Sequence, residues 1–160
     1  MIVICDTSPV NYLVWIGKIE VLRAIFGGIV IPKAVMSELR HERAPVSVQR
    51  WAQNPPQWVE VRQAGAIEAI DNLGPGECEA LSLARELSAE LVILDDSAAR
   101  GAASQRGLTV SGTLGVLEIA AARGLLNLQE TLAELCGTTS FRIAGSLVEA
   151  ALQRDAARRG

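Results

Sequence analysis

Histidine is nearly absent from this 160-residue sequence, with His41 the single example. That excludes paired-histidine acid–base chemistry and leaves a Ser-His-Asp triad only one possible centre. The pattern GxSxG is missing as well. Cysteine is scarce: Cys5, Cys78 and Cys136 stand singly, without a CxxC pair or a Cys/His cluster. This argues against structural zinc or a disulfide framework and suits a reducing cytoplasm. No apolar run approaches the roughly 18 residues of a membrane span, and no charged segment precedes the apolar start, so neither insertion nor export is expected. With a net charge of -3, no basic tail or stripe is available to hold a duplex by its phosphates, and any contact with nucleic acid must be local. Linkers, repeats and low-complexity tracts are also missing, and 49% hydrophobic residues suffice for the core of one domain.

What the sequence does contain is an alternation of short apolar runs and helical patterns. The runs "IVIC" at the start, "GIVIP" at 28–32, "WVEV" at 58–61, "LVIL" at 91–94 and "LTV" at 108–110 read as strands bounded by Gly, Pro or Asp. Helical patterns fall between them, over 9–15, 19–26, 32–41, the stretch "APVSVQRWAQNPPQ", "GPGECEALSLARELSAE" and "DSAARGAASQRGL". Further helices follow in "TLGVLEIAAARG", "LQETLAELC" and "GSLVEAALQRDAARRG". Repeated strand–helix–strand units predict an α/β fold with a central parallel sheet and helices on both faces.

In such a sheet, ligands gather beyond the carboxyl ends of the strands. Two runs deliver acids there: Asp6 after "IVIC", and Asp95 and Asp96 after "LVIL". The helix that begins at "GPGE" runs back toward the start of "LVIL", which brings Glu77 and Glu79 to the same edge, and Glu38 lies about a turn and a half into the helix after "GIVIP". Taken singly, each acid is ordinarily a helix cap or a solvated side chain. Gathered together they would repel and raise one another's pKa. A divalent cation would resolve this, and oxygen ligands without histidine or cysteine favour Mg²⁺ or Mn²⁺ over zinc. Trp15, Trp51 and Trp58 are candidates for stacking on bases or for packing, and Arg40, Arg43, Arg100 and Arg106 are candidates for phosphate contacts.

The ordered segments "VICDTSPVNYL", "IPKAVMSELR", "LGPGECEALSLA", "LVILDDSAAR" and "SGTLGVLEIAAARGLL" resemble the PIN-domain family, and within it the VapC-like subgroup with a GTLG segment and a helical C-terminal extension. The resemblance covers nearly the whole chain. It implies a single PIN-like domain over residues 1–160, a three-layer α/β/α sandwich whose extension starts at about residue 125. It also implies an acidic pocket that binds Mg²⁺ or Mn²⁺ for endonucleolytic cleavage of RNA. Matched residue by residue, Asp6, Glu38, Glu79 and Asp96 are the catalytic and metal-binding acids. Ser8 and Thr113 match hydroxyl positions near them, and Glu77 and Asp95 are secondary candidates. Glu77 and Glu79 lie roughly 200° apart around a helix, so only one of them is expected to reach a given ion. The motif alignment favours Glu79, whereas the apolar stripe passes nearer Glu77. The resemblance further implies a homodimeric toxin restrained by a cognate antitoxin protein. Two alternatives carry other functions: a catalytically weak regulatory or binding protein of the same fold, and a phosphoacceptor receiver domain. The receiver reading lacks its acidic pair after the first strand and its lysine after the last.

Overall fold

The computed structural model describes residues 1–159. Strands β1 (Val3–Cys5), β2 (Ile29–Pro32), β3 (Val59–Arg62), β4 (Leu91–Ile93) and β5 (Val110–Ser111) form one sheet in the order β3-β2-β1-β4-β5. Every neighbouring pair is parallel. Helices α1 (Thr7–Trp15) and α2 (Glu20–Phe26) connect β1 to β2, while α3 (Lys33–Leu39) and α4 (Val46–Gln53) connect β2 to β3. The remaining crossovers are α5 (Pro75–Glu86), between β3 and β4, and α6 (Ser97–Gln105), between β4 and β5. The chain ends in α7 (Thr113–Ala122), α8 (Leu128–Thr138) and α9 (Gly145–Arg159).

The apolar runs become strands because both faces of the inner strands are covered. Successive strand side chains point to opposite faces. Val3, Cys5, Ile29, Ile31 and Ile93 accordingly join one hydrophobic cluster with residues of α1–α4 and α7–α9. Ile4, Val30, Val92 and Leu94 join a second cluster with Ala80, Leu81, Leu83 and Ala84 of α5 and Ala99, Ala102 and Ala103 of α6. The result is the three-layer α/β/α arrangement, with unbroken apolar runs where a one-sided sheet would show alternation. The last strand lies two residues later than "LTV" suggests, at Val110–Ser111. It borders the sheet and pairs only with β4, so only the residues facing Val92 and Ile93 are held in the ladder.

Side chains of α5 fasten the long connection from β3 to α5. Glu79 accepts from the Ala64 amide, Glu86 from the Gly65 amide, and the Ser82 hydroxyl from the Glu68 amide. At the C-terminal end, the Arg154 guanidinium on α9 donates to both carboxylate oxygens of Glu118 on α7, at 2.9 and 3.0 Å. Among the described residues no helix is long and apolar enough to cross a membrane.

Candidate active site

Helix α1 leaves β1 toward the first cluster and α6 leaves β4 toward the second, although β1 and β4 are neighbours in the sheet. Chain connections that diverge in this way open a crevice at the carboxyl ends of the two strands. Asp6 lies in it. The Asp6 amide donates to the Ile93 carbonyl at 2.9 Å, which carries the β1–β4 ladder one residue past β1. The backbone there is extended (φ -82°, ψ 175°), and the side chain makes no capping bond to α1. The cap explanation for Asp6 therefore fails. Its side chain is 4% exposed and Oδ1 has no hydrogen-bond partner. Burial pushes its pKa up to about 7, against the opposing pull of the Thr7 amide, and the negative charges of Glu77, Glu38 and Asp95 add to the rise.

Glu38 stands in the last turn of α3 and is solvent-exposed. Its Oε2 accepts a short hydrogen bond from the Thr7 hydroxyl, so α1 and α3 are joined beside Asp6. The start of α5 fits closely against the same carboxylate. A Cβ on Gly76 would lie 2.8 Å from each oxygen of Glu38, so a side chain ahead of Glu77 would have to push that carboxylate aside. Glu77 reaches back over the start of α5, its Oε1 accepting from the Gly74 amide at 3.1 Å. Its pKa is raised, first by burial and then by the charges of Asp96 and Glu38, with the Gly74 amide opposing.

The structure thus brings Asp6, Glu38 and Glu77 into one electrostatic neighbourhood bordered by Asp95 and Asp96. It does not bring Glu79 there. Glu79 is 2% exposed, with Oε1 on the Ala34 amide at 2.7 Å and Oε2 on the Ala64 amide at 3.1 Å. Both oxygens are occupied in holding the start of α3 and the segment after β3. The placement differs from the motif's preference for Glu79 over Glu77: the two lie on opposite sides of α5, backbone amides engage both Glu79 oxygens, and the side carrying Glu77 faces the crevice.

The pair after β4 divides its work. Asp96 is exposed and caps α6, its Oδ2 accepting from the Ala99 amide at 2.9 Å. Asp95 reaches across to the next crossover, where Oδ1 accepts from the Thr113 amide and Oδ2 from the Thr113 hydroxyl, each at 2.7 Å. Thr113 is fully buried and begins α7, so its hydroxyl serves Asp95 and is not directed to solvent. A Cβ on Gly112 would meet Asp95 Oδ1 at 2.8 Å and the Arg100 guanidinium at 2.9 Å, so this close approach requires the glycine of "SGTLG". Ser8 is half-buried in the first turn of α1. The hydroxyl that engages an acid is that of its neighbour Thr7, which the sequence reading passed over; the signal for it was only its place directly after Asp6.

No group of three or more His, Cys, Asp or Glu side chains among the described residues is gathered as a ready-made cation cage. The donor chemistry nevertheless fits a hard divalent cation. All the ligands on offer are carboxylate oxygens, and Asp6 Oδ1 is a buried acceptor without a donor, a state that costs several kcal/mol, about 1–3 even for a neutral group. Asp6 Oδ1, Glu38 and Glu77 are the residues that would hold such an ion.

A family model described as a PIN domain (DUF3368) matches residues 2–156. No curated protein matches the chain. Among solved structures, a PilT N-terminus domain protein, SSO1118, from the hyperthermophilic archaeon Sulfolobus solfataricus P2 superposes with a TM-score of 0.50 at 17% sequence identity. The superposition covers 90% of this chain and 98% of that one, a likeness of fold. With the sheet order, the acid-lined crevice and a family match over nearly its whole length, the chain belongs to the PIN-domain family.

Proposed function

We propose that this protein is a Mg²⁺- or Mn²⁺-dependent endoribonuclease that hydrolyses RNA phosphodiester bonds, and that it acts as the toxin of a toxin–antitoxin pair. PIN domains are generally nucleases and usually use divalent metal ions. The observation that carries the reading is Asp6. A carboxyl group buried at the crevice between β1 and β4, with one oxygen unpartnered and the charges of Glu38, Glu77 and Asp95 around it, is poorly explained by any structural role.

A bound divalent cation would supply the positive charge that polarises a phosphoryl oxygen and offsets the charge developed during hydrolysis. The chain's own residues have separable tasks. Asp6, Glu38 and Glu77 would hold the ion, and Asp96 would lend negative charge at the rim. Thr7 fixes the rotamer of Glu38 through its hydroxyl, and Gly76 leaves room for that carboxylate. Asp95 is a positioning residue: by holding the amide and hydroxyl of Thr113 it ties α7 to the end of β4. Burial holds the Asp6 carboxyl well above the usual carboxylate range, so a cation at Oδ1 would favour its ionised form and metal uptake would release protons.

The test is to incubate purified, partner-free protein with structured and single-stranded RNA, with and without Mn²⁺ or Mg²⁺, beside an Asp6→Asn control prepared identically. Metal-dependent cleavage that the control lacks is expected; equal cleavage by both preparations would sink the assignment. The toxin role rests on the sequence resemblance and is tested by co-expressing the product of a neighbouring short reading frame, which should silence cleavage. Homodimerisation is tested by light scattering. A second reading, a regulatory member that binds without cutting, is favoured by two observations: Asp95, Asp96 and Glu79 already have protein partners, and among the described residues no three acids form a preset cage. Calorimetric metal binding without cleavage of any RNA would select it.

A further inference from the structure

A cleft of about 690 Å³ adjoins the acids on the α1–α3 side, and its walls include Thr7, Asn11, Trp15, Glu38, His41 and Arg43. Thr7 and Glu38 are the hydrogen-bonded pair beside Asp6, so the cleft shares a wall with the acidic crevice. We infer that this cleft is a nucleobase subsite, receiving a base of the RNA strand next to the phosphodiester held at the acids. The inference rests on the nuclease reading for the path of the strand. The chemistry of the lining stands apart from it.

Trp15 carries the argument. Trp51 and Trp58 pack against the hydrophobic core and against each other, with ring centroids 6.5 Å apart. Trp15, at the end of α1, belongs to neither core cluster and to no aromatic pair; it is half-buried and its side chain lines the cleft. An aromatic side chain lining a cleft beside the acids suits base stacking, which tolerates any sequence because every base has a π-face. The polar groups around it complement the rim of a stacked nucleotide. The Asn11 amide offers both a donor and an acceptor. The Arg43 amide donates to His41 Nδ1 at 3.1 Å, so in the neutral ring the proton sits on Nε2, where it is available to a base carbonyl or phosphate oxygen. Arg43 is exposed and its guanidinium forms no ion pair among the described residues, which leaves it for a flanking phosphate.

The wall is built rather than loose. The turn from α3 to α4 is closed by hydrogen bonds from the His41 amide to the Glu38 carbonyl and from the Ala44 amide to the His41 carbonyl. The Gln49 side chain donates to the carbonyls of Glu42 and Ala44. On the opposite side Ser140, after α8, closes the cleft and lies 3.4 Å from the Tyr12 hydroxyl. The connection between α8 and α9 therefore helps to shape the subsite.

The experiment uses the full chain carrying Asp6→Asn, with Trp51→Phe and Trp58→Phe so that Trp15 is the sole tryptophan, after a melting check that this background is folded. The probes are a six-nucleotide single-stranded RNA and the same strand with abasic sugars. The natural strand should quench Trp15 emission and bind roughly tenfold more tightly than the abasic strand, with Trp15→Ala erasing the difference and Trp15→Phe keeping most of it. Arg43→Ala should weaken both strands and lower the slope of log affinity against log salt by about 1. Equal binding of the two strands with unmoved Trp15 emission overturns the subsite; the nuclease reading survives that result if the unmutated protein still cuts RNA. Base-dependent quenching in a protein that cuts nothing keeps the subsite and ends the nuclease reading. Emission that ignores RNA but shifts to the blue as protein concentration rises assigns the cleft to a second copy of the chain, and also overturns the proposal.

Discussion

Replacing Asp6 with Asn should make the metal-free protein more stable above neutral pH while removing its response to metal. The folded state raises the Asp6 pKa from 3.8 to about 7, chiefly by burial. Between those values the folded chain binds more protons than the unfolded one, so stability falls as pH rises through the window and the whole penalty is present above it. About three pKa units at 1.36 kcal/mol each set a ceiling of roughly 4 kcal/mol. Local relaxation around a crevice open at one end should leave about half of it. Asn is neutral at every pH, so the variant escapes the penalty. For a chain of this length, ~2 kcal/mol corresponds to a rise in melting temperature of roughly 4–8 °C. Thermal melts of both proteins in chelator, from pH 4 to pH 8.5, should diverge progressively and coincide near pH 4; other titrating groups are common to both and cancel. Adding Mn²⁺ at 100 times its dissociation constant should then stabilise the unmutated protein by ~2.7 kcal/mol and the variant hardly at all. A variant less stable than its parent at pH 8, with parallel pH profiles, would refute the account of Asp6 as an uncompensated buried acid.

Glu77→Gln and Glu79→Gln should part company. The first is expected to lose metal affinity and cleavage with a small change in melting temperature. The second should lose roughly 1.5–3 kcal/mol of stability, because Gln has one acceptor oxygen for the two amides of Ala34 and Ala64 and sets its NH2 against the other, with activity retained in the folded fraction; urea titrations and calorimetric metal titrations separate the two. Gly76→Ala drives a methyl against the Glu38 carboxylate and should weaken metal binding by more than it lowers the melting temperature, as paired titrations and melts would report. Thr113→Val leaves Asp95 Oδ2 without its hydroxyl donor and should cost about 1–3 kcal/mol in denaturant unfolding; an unchanged midpoint would show that this bond does not hold α7 in place.

Much of the molecule was legible before folding was considered. The five apolar runs, their parallel connection and the acids after β1 and β4 follow from short-range rules: a run buried on both faces is apolar throughout, and the chain turns where Asp, Gly or Pro interrupts it. The capping bond of Asp96 is equally local, since its partner, the Ala99 amide, lies three residues away, although the motif match makes this residue a metal-binding acid. Choices between near neighbours were of another kind. Thr7 and Ser8 both offer a hydroxyl in the first turn of α1, and nothing in their order says that α3 will present Glu38 to the former. The same holds for Asp95, whose partner Thr113 is 18 residues away on another crossover.

The pair Glu77 and Glu79 marks the boundary most clearly. The sequence by itself pointed to a parallel α/β sheet, to acids at one edge of it, and to two glutamates on opposite sides of α5, of which one is expected at a given ion. Only the tertiary structure decided which of them faces the crevice. Helical periodicity specifies the angle between two side chains, but the helix's rotation about its axis is set by what packs against it. Here Ala80, Leu81, Leu83 and Ala84 are buried against the sheet and the Ala34 and Ala64 amides capture Glu79, so that rotation turns Glu77 toward Glu38, Asp96 and the buried carboxyl of Asp6.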